Sequence, residues 1–270
     1  MTLKEATELL RAAGVESPAY DAREIFCKLG GIPMSRLVLG GEVEDSSPAA
    51  EGITARARRV PLEYILGEVD FYREKYKVGE GCLIPRDDTE ILVDFAVGAV
   101  PRGELFVDLC TGSGCVGLSV LNNTENTRAI MVDISDSALA YTVKNAESLR
   151  LSERATVLKA DALGAPVCER CFAVISNPPY VTEAEYTTLS EEIKKEPKIA
   201  FVGGTSGLDF YRGITEIYRD VIDKRGFIAF EIGFSQADAL REIARDNSMS
   251  CEIIPDLSHR DRVAVLRPLE

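Results

Sequence analysis

Phe172-Ala173-Val174-Ile175-Ser176-Asn177-Pro178-Pro179-Tyr180 is the stretch that decides the fold. Residues 172–176 are mostly β-prone and stop at two prolines, which predicts a buried strand that opens into a rigid loop. Asn177 brings a side-chain carbonyl to this loop, and Pro178 accepts but cannot donate a backbone hydrogen bond. Two adjacent acceptors suit a planar NH2 group, and the ring of Tyr180 suits a flat amide or a methyl cation. A proline-terminated strand with a turn asparagine is the alternative interpretation.

Strands and helices alternate on both sides of this stretch. The other segments that predict strands are residues 105–109, 129–134, 155–159, 227–232, 251–257 and 262–266. Helical patterns separate the first five strands, as in residues 136–149, where Asp136 is the expected cap. The alternation predicts an α/β fold with a mostly parallel, doubly wound, Rossmann-like sheet of seven strands. The last two strands are joined only by residues 258–261, which predicts an antiparallel C-terminal hairpin at one edge.

The N-terminal part of the chain carries helix start signals instead. Thr2 and Glu5 form a capping-box pattern, and Ser-Pro pairs that begin at Ser17 and Ser47 each precede an apolar helical pattern. These signals predict four short helices. We therefore expect a small helical domain over residues 1–67 and interpret it as a recognition or covering domain.

The hydrophobic period changes after this helical part. Residues 68–86 are predicted to form a β-hairpin linker, because aromatic and β-branched residues surround a charged run that begins at Arg73. Residues 87–270 then hold the sheet domain. The sequence contains no internal repeat and no low-complexity tract.

Composition narrows the functional class. The chain has 270 residues, of which 46% are hydrophobic, and this suits one large or two modest domains. Lys and Arg number 31 against 44 Asp and Glu, and the net charge of -13 disfavours stable nucleic-acid binding. The 7 cysteines, an odd number, favour free thiols in a reducing compartment. Without a long apolar run or a secretory signal, we expect a cytoplasmic protein that does not associate with membranes.

Polar side chains lie at the carboxyl ends of four consecutive predicted strands. They are Asp108, Asp133, Asp161 and Asn177. Because ligands bind at this edge of an open α/β sheet, we expect the four side chains to line one crevice. Asp133 suits a ribose diol, and Asp161 can accept a hydrogen bond from an exocyclic adenine amine.

The first of these strands runs into a glycine-rich loop, Cys110-Thr111-Gly112-Ser113-Gly114-Cys115-Val116-Gly117. Glycines here let the backbone approach a ligand closely at a helix N-terminus. Gly112, Gly114 and Gly117 also satisfy G-x-G-x-x-G, so a dinucleotide competes with S-adenosylmethionine as the cofactor. A hydride-transfer enzyme needs a proton-handling group, yet the only histidine, His259, lies in the final hairpin loop. S-adenosylmethionine is favoured, since an NH2 nucleophile attacks a sulfonium methyl without such a group.

Further segments along the chain match sequence motifs of a single protein family. They are Pro61-Leu62-Glu63-Tyr64-Ile65-Leu66-Gly67, Leu83-Ile84-Pro85-Arg86 with Thr89-Glu90, Val132-Asp133-Ile134-Ser135, Ser176-Asn177-Pro178-Pro179-Tyr180, Glu196-Pro197, Gly203-Gly204, Gly207-Leu208, Glu231-Ile232-Gly233 and Asp261-Arg262-Val263. With these segments the chain resembles the HemK/PrmC family over about residues 60–266. Adenine-N6 methyltransferases share the Asn-Pro-Pro-Tyr tetrapeptide, so the flanking segments carry the resemblance.

The resemblance implies an S-adenosylmethionine-dependent methyltransferase domain. Members of the family N5-methylate the glutamine of the Gly-Gly-Gln motif in class I peptide chain release factors. The resemblance also implies that Asn177, Pro178 and Tyr180 are catalytic and that Pro179 joins them in binding the substrate. The residues expected to bind S-adenosylmethionine, and its product S-adenosylhomocysteine, are Cys110, Thr111, Gly112, Ser113, Gly114, Asp133, Asp161, Ala162 and Asn177.

The sequence departs from the family pattern at three positions. The family usually has Gly where Cys110 stands, Pro where Asp87 stands and often an aromatic residue where Ala162 stands. Cys110 is small enough to preserve the geometry of the loop. Ala162 offers an adenine ring less stacking surface, which bears on cofactor affinity rather than cofactor identity.

Two other functional classes stay open on sequence grounds. An adenine-N6 methyltransferase of DNA or RNA is disfavoured by the net charge of -13 and by the lack of a second, basic domain. A non-catalytic binding module or a nicotinamide enzyme is disfavoured by the intact tetrapeptide. We expect a monomer. We also expect no metal site, because Cys168 and Cys171 have no second Cys/His pair to complete a tetrahedral set.

Overall fold

The computed structural model describes residues 1–38 and 47–269. Contacts between residues divide the chain into two compact units. The first comprises Met1–Val69, Val78–Glu80 and Ser190–Lys195, and the second comprises Asp70–Lys77, Gly81–Leu189 and Glu196–Glu270. Within the described residues, no helix combines the length and the apolar character that crossing a bilayer requires.

The first unit is helical. Its helices within the described residues are α1 (Leu3–Ala12), α2 (Pro18–Lys28), α3 (Met34–Val38), α4 (Pro48–Ala57) and α5 (Leu62–Leu66). Five helices replace the four predicted, since elements as short as α3 give no periodic signal. The start signals are confirmed: Thr2 and Glu5 cap α1 reciprocally, and the two Ser-Pro pairs open α2 and α4. Residues 39–46 of the predicted domain 1–67 lie outside the described residues.

An apolar core and a buried ion pair hold this unit together. Leu10, Phe26 and Ile53, from α1, α2 and α4, are fully buried. Arg56 Nε lies 2.7 Å from Asp21 Oδ2, and both side chains are buried. Losing either partner would leave the other charge buried and unpaired, so this pair fixes α4 against α2.

The second unit contains a seven-stranded sheet. The strands of the chain are β1 (Glu68–Phe71), β2 (Glu74–Lys77), β3 (Leu105–Leu109), β4 (Arg128–Asp133), β5 (Ala155–Lys159), β6 (Cys171–Ser176), β7 (Ile222–Glu231), β8 (Met249–Pro255) and β9 (Asp261–Pro268). A separate ribbon pairs β1 with β2, and the sheet has the order β5-β4-β3-β6-β7-β9-β8. Strands β3 to β7 pair in parallel, whereas β9 is antiparallel to both β7 and β8. The predicted sheet and its C-terminal hairpin are confirmed.

Within the described residues, six α-helices precede β3 or lie between strands of the sheet. They are α6 (Glu90–Ala99), α7 (Cys115–Asn122), α8 (Asp136–Ser148), α9 (Glu183–Thr188), α10 (Asp209–Tyr218) and α11 (Ala237–Asp246). The predicted helix between β5 and β6 was wrong: residues 160–170 form turns, as Gly164 and Pro166 disfavour a helix there. The predicted cap by Asp136 was also wrong. The Ser135 hydroxyl accepts from Ala138 N at 3.3 Å and caps α8.

Strand β6 lies at the centre of the sheet, and every one of its residues is buried. A parallel strand covered on both faces reads as a continuous apolar run, which is the pattern of residues 172–176. Phe172 packs edge-on against Phe227 of β7, which in turn packs against Phe95 of α6. This packing anchors the amino end of β6, and at its carboxyl end the Ser176 hydroxyl donates to the Leu109 carbonyl of β3 at 2.6 Å. The Asn-Pro-Pro-Tyr tetrapeptide follows directly.

Candidate active site

A cavity of about 300 Å³ opens within the second unit. Its walls include the residues that follow β3, β4 and β6 at their carboxyl ends, where parallel α/β sheets bind ligands. The predicted site residues in its wall are Cys110, Thr111, Gly112, Ser113, Asp133, Asp161, Ala162, Asn177 and Pro179. Gly114, Pro178 and Tyr180 lie outside the wall. The structure thus brings most of the predicted residues to one cavity.

Asp108, near the end of β3, holds the glycine loop through hydrogen bonds. The Asp108 carboxylate accepts from Thr111 Oγ1 at 2.5 Å and from Gly117 N at 3.0 Å. Gly114 has a φ of 83°, and a Cβ there would lie 3.0 Å from Leu118 Cδ1. Gly114 is therefore required by the turn of the loop and by its packing rather than by the cavity wall.

Asp108 is an unusual titratable group, since its side chain is almost fully buried. Burial raises the pKa of Asp108 to about 7, although the hydrogen bonds from Thr111 and Gly117 favour the charged form. Asp108 therefore titrates near neutral pH.

Asp133 ends β4 and is half-buried at the cavity wall. Its Oδ2 accepts from Gly112 N at 2.9 Å, and its Oδ1 accepts from Ser135 N at 2.9 Å. Burial raises the pKa of Asp133, and these backbone donors oppose the shift. The carboxylate therefore links the glycine loop to the start of α8.

Asp161 and Ala162 follow β5 on another part of the wall. Asp161 is exposed, and its Oδ1 accepts from Leu163 N at 2.9 Å. Ala162 is buried, and Leu163 lines the cavity beside it. This part of the wall is mostly apolar with one carboxylate, which suits a flat ring that carries an amine.

The tetrapeptide after β6 is held by hydrogen bonds at both ends. Asn177 Nδ2 donates to Thr89 Oγ1 at 3.2 Å, and the Tyr180 hydroxyl donates to Glu231 Oε1 at 3.1 Å. Among the described residues, no donor is bonded to Asn177 Oδ1 or to the Pro178 carbonyl. Asn177 lines the cavity, so its Oδ1 is within reach of a ligand there, whereas Pro178 is buried and lies outside the wall.

Two glycines allow a neighbouring loop to pack against the tetrapeptide. A Cβ on Gly203 would lie 2.2 Å from the carbonyl oxygen of Pro179, and one on Gly207 would lie 2.3 Å from that of Tyr180. Gln236 Nε2 also donates to the Tyr180 carbonyl at 3.2 Å. The close approach of two backbones explains why these positions are glycine.

Thr89 and Glu231 belong to two of the segments that carry the family resemblance, and the structure brings their side chains together. Thr89 precedes α6, but its side chain makes no cap hydrogen bond. It donates instead to Glu231 Oε2 at 2.5 Å. No local pattern could reveal this contact, because the partners are 142 residues apart in the chain. Arg86, from a third such segment, pairs with Glu196.

The Cys168 and Cys171 thiols are free. Across residues 1–38 and 47–269, no group of three or more His, Cys, Asp or Glu side chains is arranged to hold a metal ion.

Two family models match the chain. One, described as the PrmC N-terminal domain, matches residues 2–67, and the other, described as the Methyltransferase small domain, matches residues 88–204. The chain is therefore similar to methyltransferases in the part that contains the cavity.

Full-length relatives give the same result. A release factor glutamine methyltransferase of Moorella thermoacetica is 34% identical over 269 residues, which covers 96% of this chain and 95% of that protein. A release factor glutamine methyltransferase of Thermodesulfovibrio yellowstonii is 37% identical over 258 residues, covering 92% and 91%. Among solved structures, the hMettl16 catalytic domain, in complex with MAT2A 3′UTR hairpin 6, has a TM-score of 0.58 at 15% identity. The match covers 93% of this chain and 92% of that chain, and at this identity it is a likeness of fold alone.

Proposed function

The chain belongs to the family of release factor glutamine methyltransferases, and on this premise we propose its reaction. It transfers a methyl group from S-adenosylmethionine to the side-chain amide nitrogen (N5) of the glutamine in the Gly-Gly-Gln motif of class I peptide chain release factors. One observation carries the proposal: Asn177 lines the same cavity as Gly112 and Asp133. An amide acceptor thus lies beside a crevice suited to a nucleoside.

The residues of the cavity fit S-adenosylmethionine. Gly112 has a φ of 59°, and no protein atom lies within 4 Å of where its Cβ would stand, so the backbone leaves open space there. Each Asp133 oxygen accepts one backbone N–H and keeps a lone pair for a ribose hydroxyl. Asp161 and Ala162 are proposed to hold the adenine. The other proposed contacts in the cavity wall are Cys110, Thr111, Ser113 and Asn177, and Gly114 is proposed to contribute through the shape of the loop. When bound, the cofactor supplies an electron-poor methyl group on a positively charged sulfur.

Asn177 and Pro178 are proposed to orient the substrate amide. An amide nitrogen is a poor nucleophile, because its lone pair is delocalised into the carbonyl. Hydrogen bonds from its two protons to Asn177 Oδ1 and the Pro178 carbonyl would fix its plane and raise the electron density on nitrogen. Positioning of this kind lowers a barrier by on the order of 7–11 kcal/mol in favourable cases. Pro179 and Tyr180 are proposed to confine the amide plane, and the methylated amide loses its proton to water.

The remaining roles follow from the same proposal. Residues 1–67 are proposed to recognise the release factor, residues 68–86 to link the domains and residues 87–270 to carry out methyl transfer. We propose that the enzyme acts in the cytoplasm together with its release-factor substrate. We further propose that it acts as a monomer and forms no stable complex with nucleic acid.

A labelling experiment tests this proposal. The enzyme is incubated with methyl-labelled S-adenosylmethionine and, separately, with a release factor, the same factor with its Gly-Gly-Gln glutamine substituted, and DNA. Label is expected only in the unsubstituted release factor. Label in DNA would support an adenine-N6 methyltransferase instead, and equal label in the substituted factor would contradict the assigned glutamine.

A further inference from the structure

We infer that Thr89 and Glu231 form a hydrogen-bond relay that fixes which way the Asn177 side-chain amide faces. In this relay Glu231 sets the direction of the Thr89 hydroxyl, and Thr89 in turn holds the Asn177 nitrogen, so that the oxygen is left for the substrate. Thr89 and Glu231 are positioning residues. The inference rests on the proposed function for its consequence in catalysis, whereas the amide orientation itself can be tested without a substrate.

The direction of the relay follows from counting protons. Burial raises the pKa of Glu231, whereas the hydrogen bonds from Thr89 and Tyr180 and the positive charge of Arg262 favour its ionised form. In that form Glu231 only accepts hydrogen bonds, and Thr89 has a single hydroxyl proton. With Thr89 Oγ1 lying 2.5 Å from Glu231 Oε2, that proton is committed to the carboxylate. Thr89 Oγ1 can then only accept from Asn177, 3.2 Å away. Only the nitrogen of the amide can donate, so Nδ2 faces Thr89 and Oδ1 occupies the other position.

The alternative orientation is disfavoured for the same reason. If the amide were flipped, Asn177 Oδ1 would face Thr89 Oγ1, and two acceptors would meet without a proton between them. Thr89 borders the cavity, but Thr89 and Glu231 are each only 2% exposed, so a lost hydrogen bond between them is costly. A flipped amide would also present NH2 to the substrate NH2, which would abolish one of the two contacts that orient the nucleophile.

Glu231 also reaches the other end of the tetrapeptide. Its Oε1 accepts from the Tyr180 hydroxyl at 3.1 Å, while its Oε2 accepts from Thr89. One carboxylate therefore holds both Asn177, through Thr89, and Tyr180 directly. A single acidic residue at the end of β7 thus holds, through hydrogen bonds, the two side chains that flank the proline pair.

A double-mutant cycle tests the relay in catalysis. Thr89→Val keeps the shape of Thr89 and removes its hydroxyl, so turnover is expected to fall by roughly tenfold or more, since an unmade buried hydrogen bond carries about this penalty. Affinity for S-adenosylmethionine is expected to change little, and Thr89→Ser is expected to recover most of the turnover. In the Asn177→Asp background, Thr89→Val is expected to have little further effect, because a carboxylate presents an oxygen in either orientation.

The outcomes separate the relay from a structural role. A merely structural role for Thr89 predicts an equal loss in the Asn177 and Asn177→Asp backgrounds and no recovery by Thr89→Ser, and either result would overturn the relay. If the wild-type enzyme does not methylate a release factor, the proposed function fails, and the relay is then decided by spectroscopy.

Selective ¹⁵N-asparagine labelling gives that spectroscopic test. The NH2 signal of Asn177 is assigned by its disappearance in Asn177→Asp. It is expected to exchange slowly with solvent in the wild type and faster in Thr89→Val, because the relay holds Nδ2 on Thr89. An NH2 signal that is unchanged in Thr89→Val would overturn the inference whatever the substrate proves to be.

Discussion

Asp108 lies beneath the glycine loop, where Thr111 and Gly117 donate hydrogen bonds to its carboxyl group. Burial raises its pKa in the folded state to about 7, above the usual value of 3.8. A raised carboxyl pKa means that the folded state binds the proton more tightly than the unfolded state. The stability that the protonated Asp108 side chain contributes to the folded state is therefore fully present at acidic pH. It is lost as the pH rises from about 4 through about 7.

Asp108→Asn removes the buried charge but keeps an oxygen that accepts from both donors. Relative to the wild type, we expect the variant to gain stability as the pH rises, with a larger advantage near about pH 8 than near about pH 5. Urea midpoints for both proteins at the two pH values measure this difference. A stability difference between variant and wild type that is the same at both pH values would contradict the raised pKa of Asp108.

Asp133→Ala tests the ribose contact. Loss of a charge-assisted hydrogen bond in a partly desolvated site should weaken S-adenosylmethionine binding by roughly 1.5–3 kcal/mol. Calorimetry measures the affinity, and circular dichroism checks the fold. Asp136→Ala is the matched control, because Asp136 is exposed, pairs with Lys159 and lies outside the cavity wall. Unchanged affinity in a folded Asp133→Ala protein would contradict the assignment.

At the scale of elements, the shape of the tetrapeptide depends on the loop that packs against it. Gly203 and Gly207 approach the Pro179 and Tyr180 carbonyls so closely that neither position has room for a Cβ. The loop is also tied to the chain after the tetrapeptide, since Gly203 N donates to the Val181 carbonyl at 3.0 Å. The position of one segment therefore constrains the position of the other.

Gly203→Ala should displace the tetrapeptide and reduce turnover by on the order of 10²-fold, since a misplacement of about 1 Å has such an effect on positioned reactants. Turnover and cofactor affinity are measured in parallel, and affinity is expected to fall less. Gly98→Ala is the control, because Gly98 lies in α6 with no atom within 4 Å of its Cβ position. It should stabilise the protein slightly. Equal turnover in the two variants would contradict this role of the loop.

Elements defined by local signals were predicted well from the sequence. The bounds of β3 and β5 match the prediction, and those of β4 differ by one residue at each end. Strand β7 begins at Ile222 rather than at residue 227, because the polar run 223–226 hides its start. Asp133 could be placed at the cavity because it ends an apolar strand. The contact between Thr89 and Glu231 could not be predicted, since only tertiary packing brings these residues together.

At the scale of the whole molecule, the net charge of -13 bears on the kind of substrate. An enzyme that tracks phosphates through many Lys and Arg contacts loses roughly 10³–10⁵ in affinity between about 50 mM and 200 mM salt. For a protein loop as substrate, we expect activity to fall by less than about tenfold over the same range. Initial rates with a release factor across this range measure it, and a thousandfold loss would indicate a nucleic-acid substrate.

The most direct test of the account is the single-turnover rate of methyl transfer to the release-factor glutamine in Asn177 variants. Asn177→Ala removes one of the two acceptors that orient the target NH2, while Pro178 and Pro179 keep the loop rigid. By analogy with the loss of one oriented transition-state hydrogen bond, the rate should fall by on the order of 10²–10³. Asn177→Asp keeps an acceptor and should retain more activity than Asn177→Ala. A folded Asn177→Ala enzyme that methylates the glutamine at the wild-type rate would contradict the account.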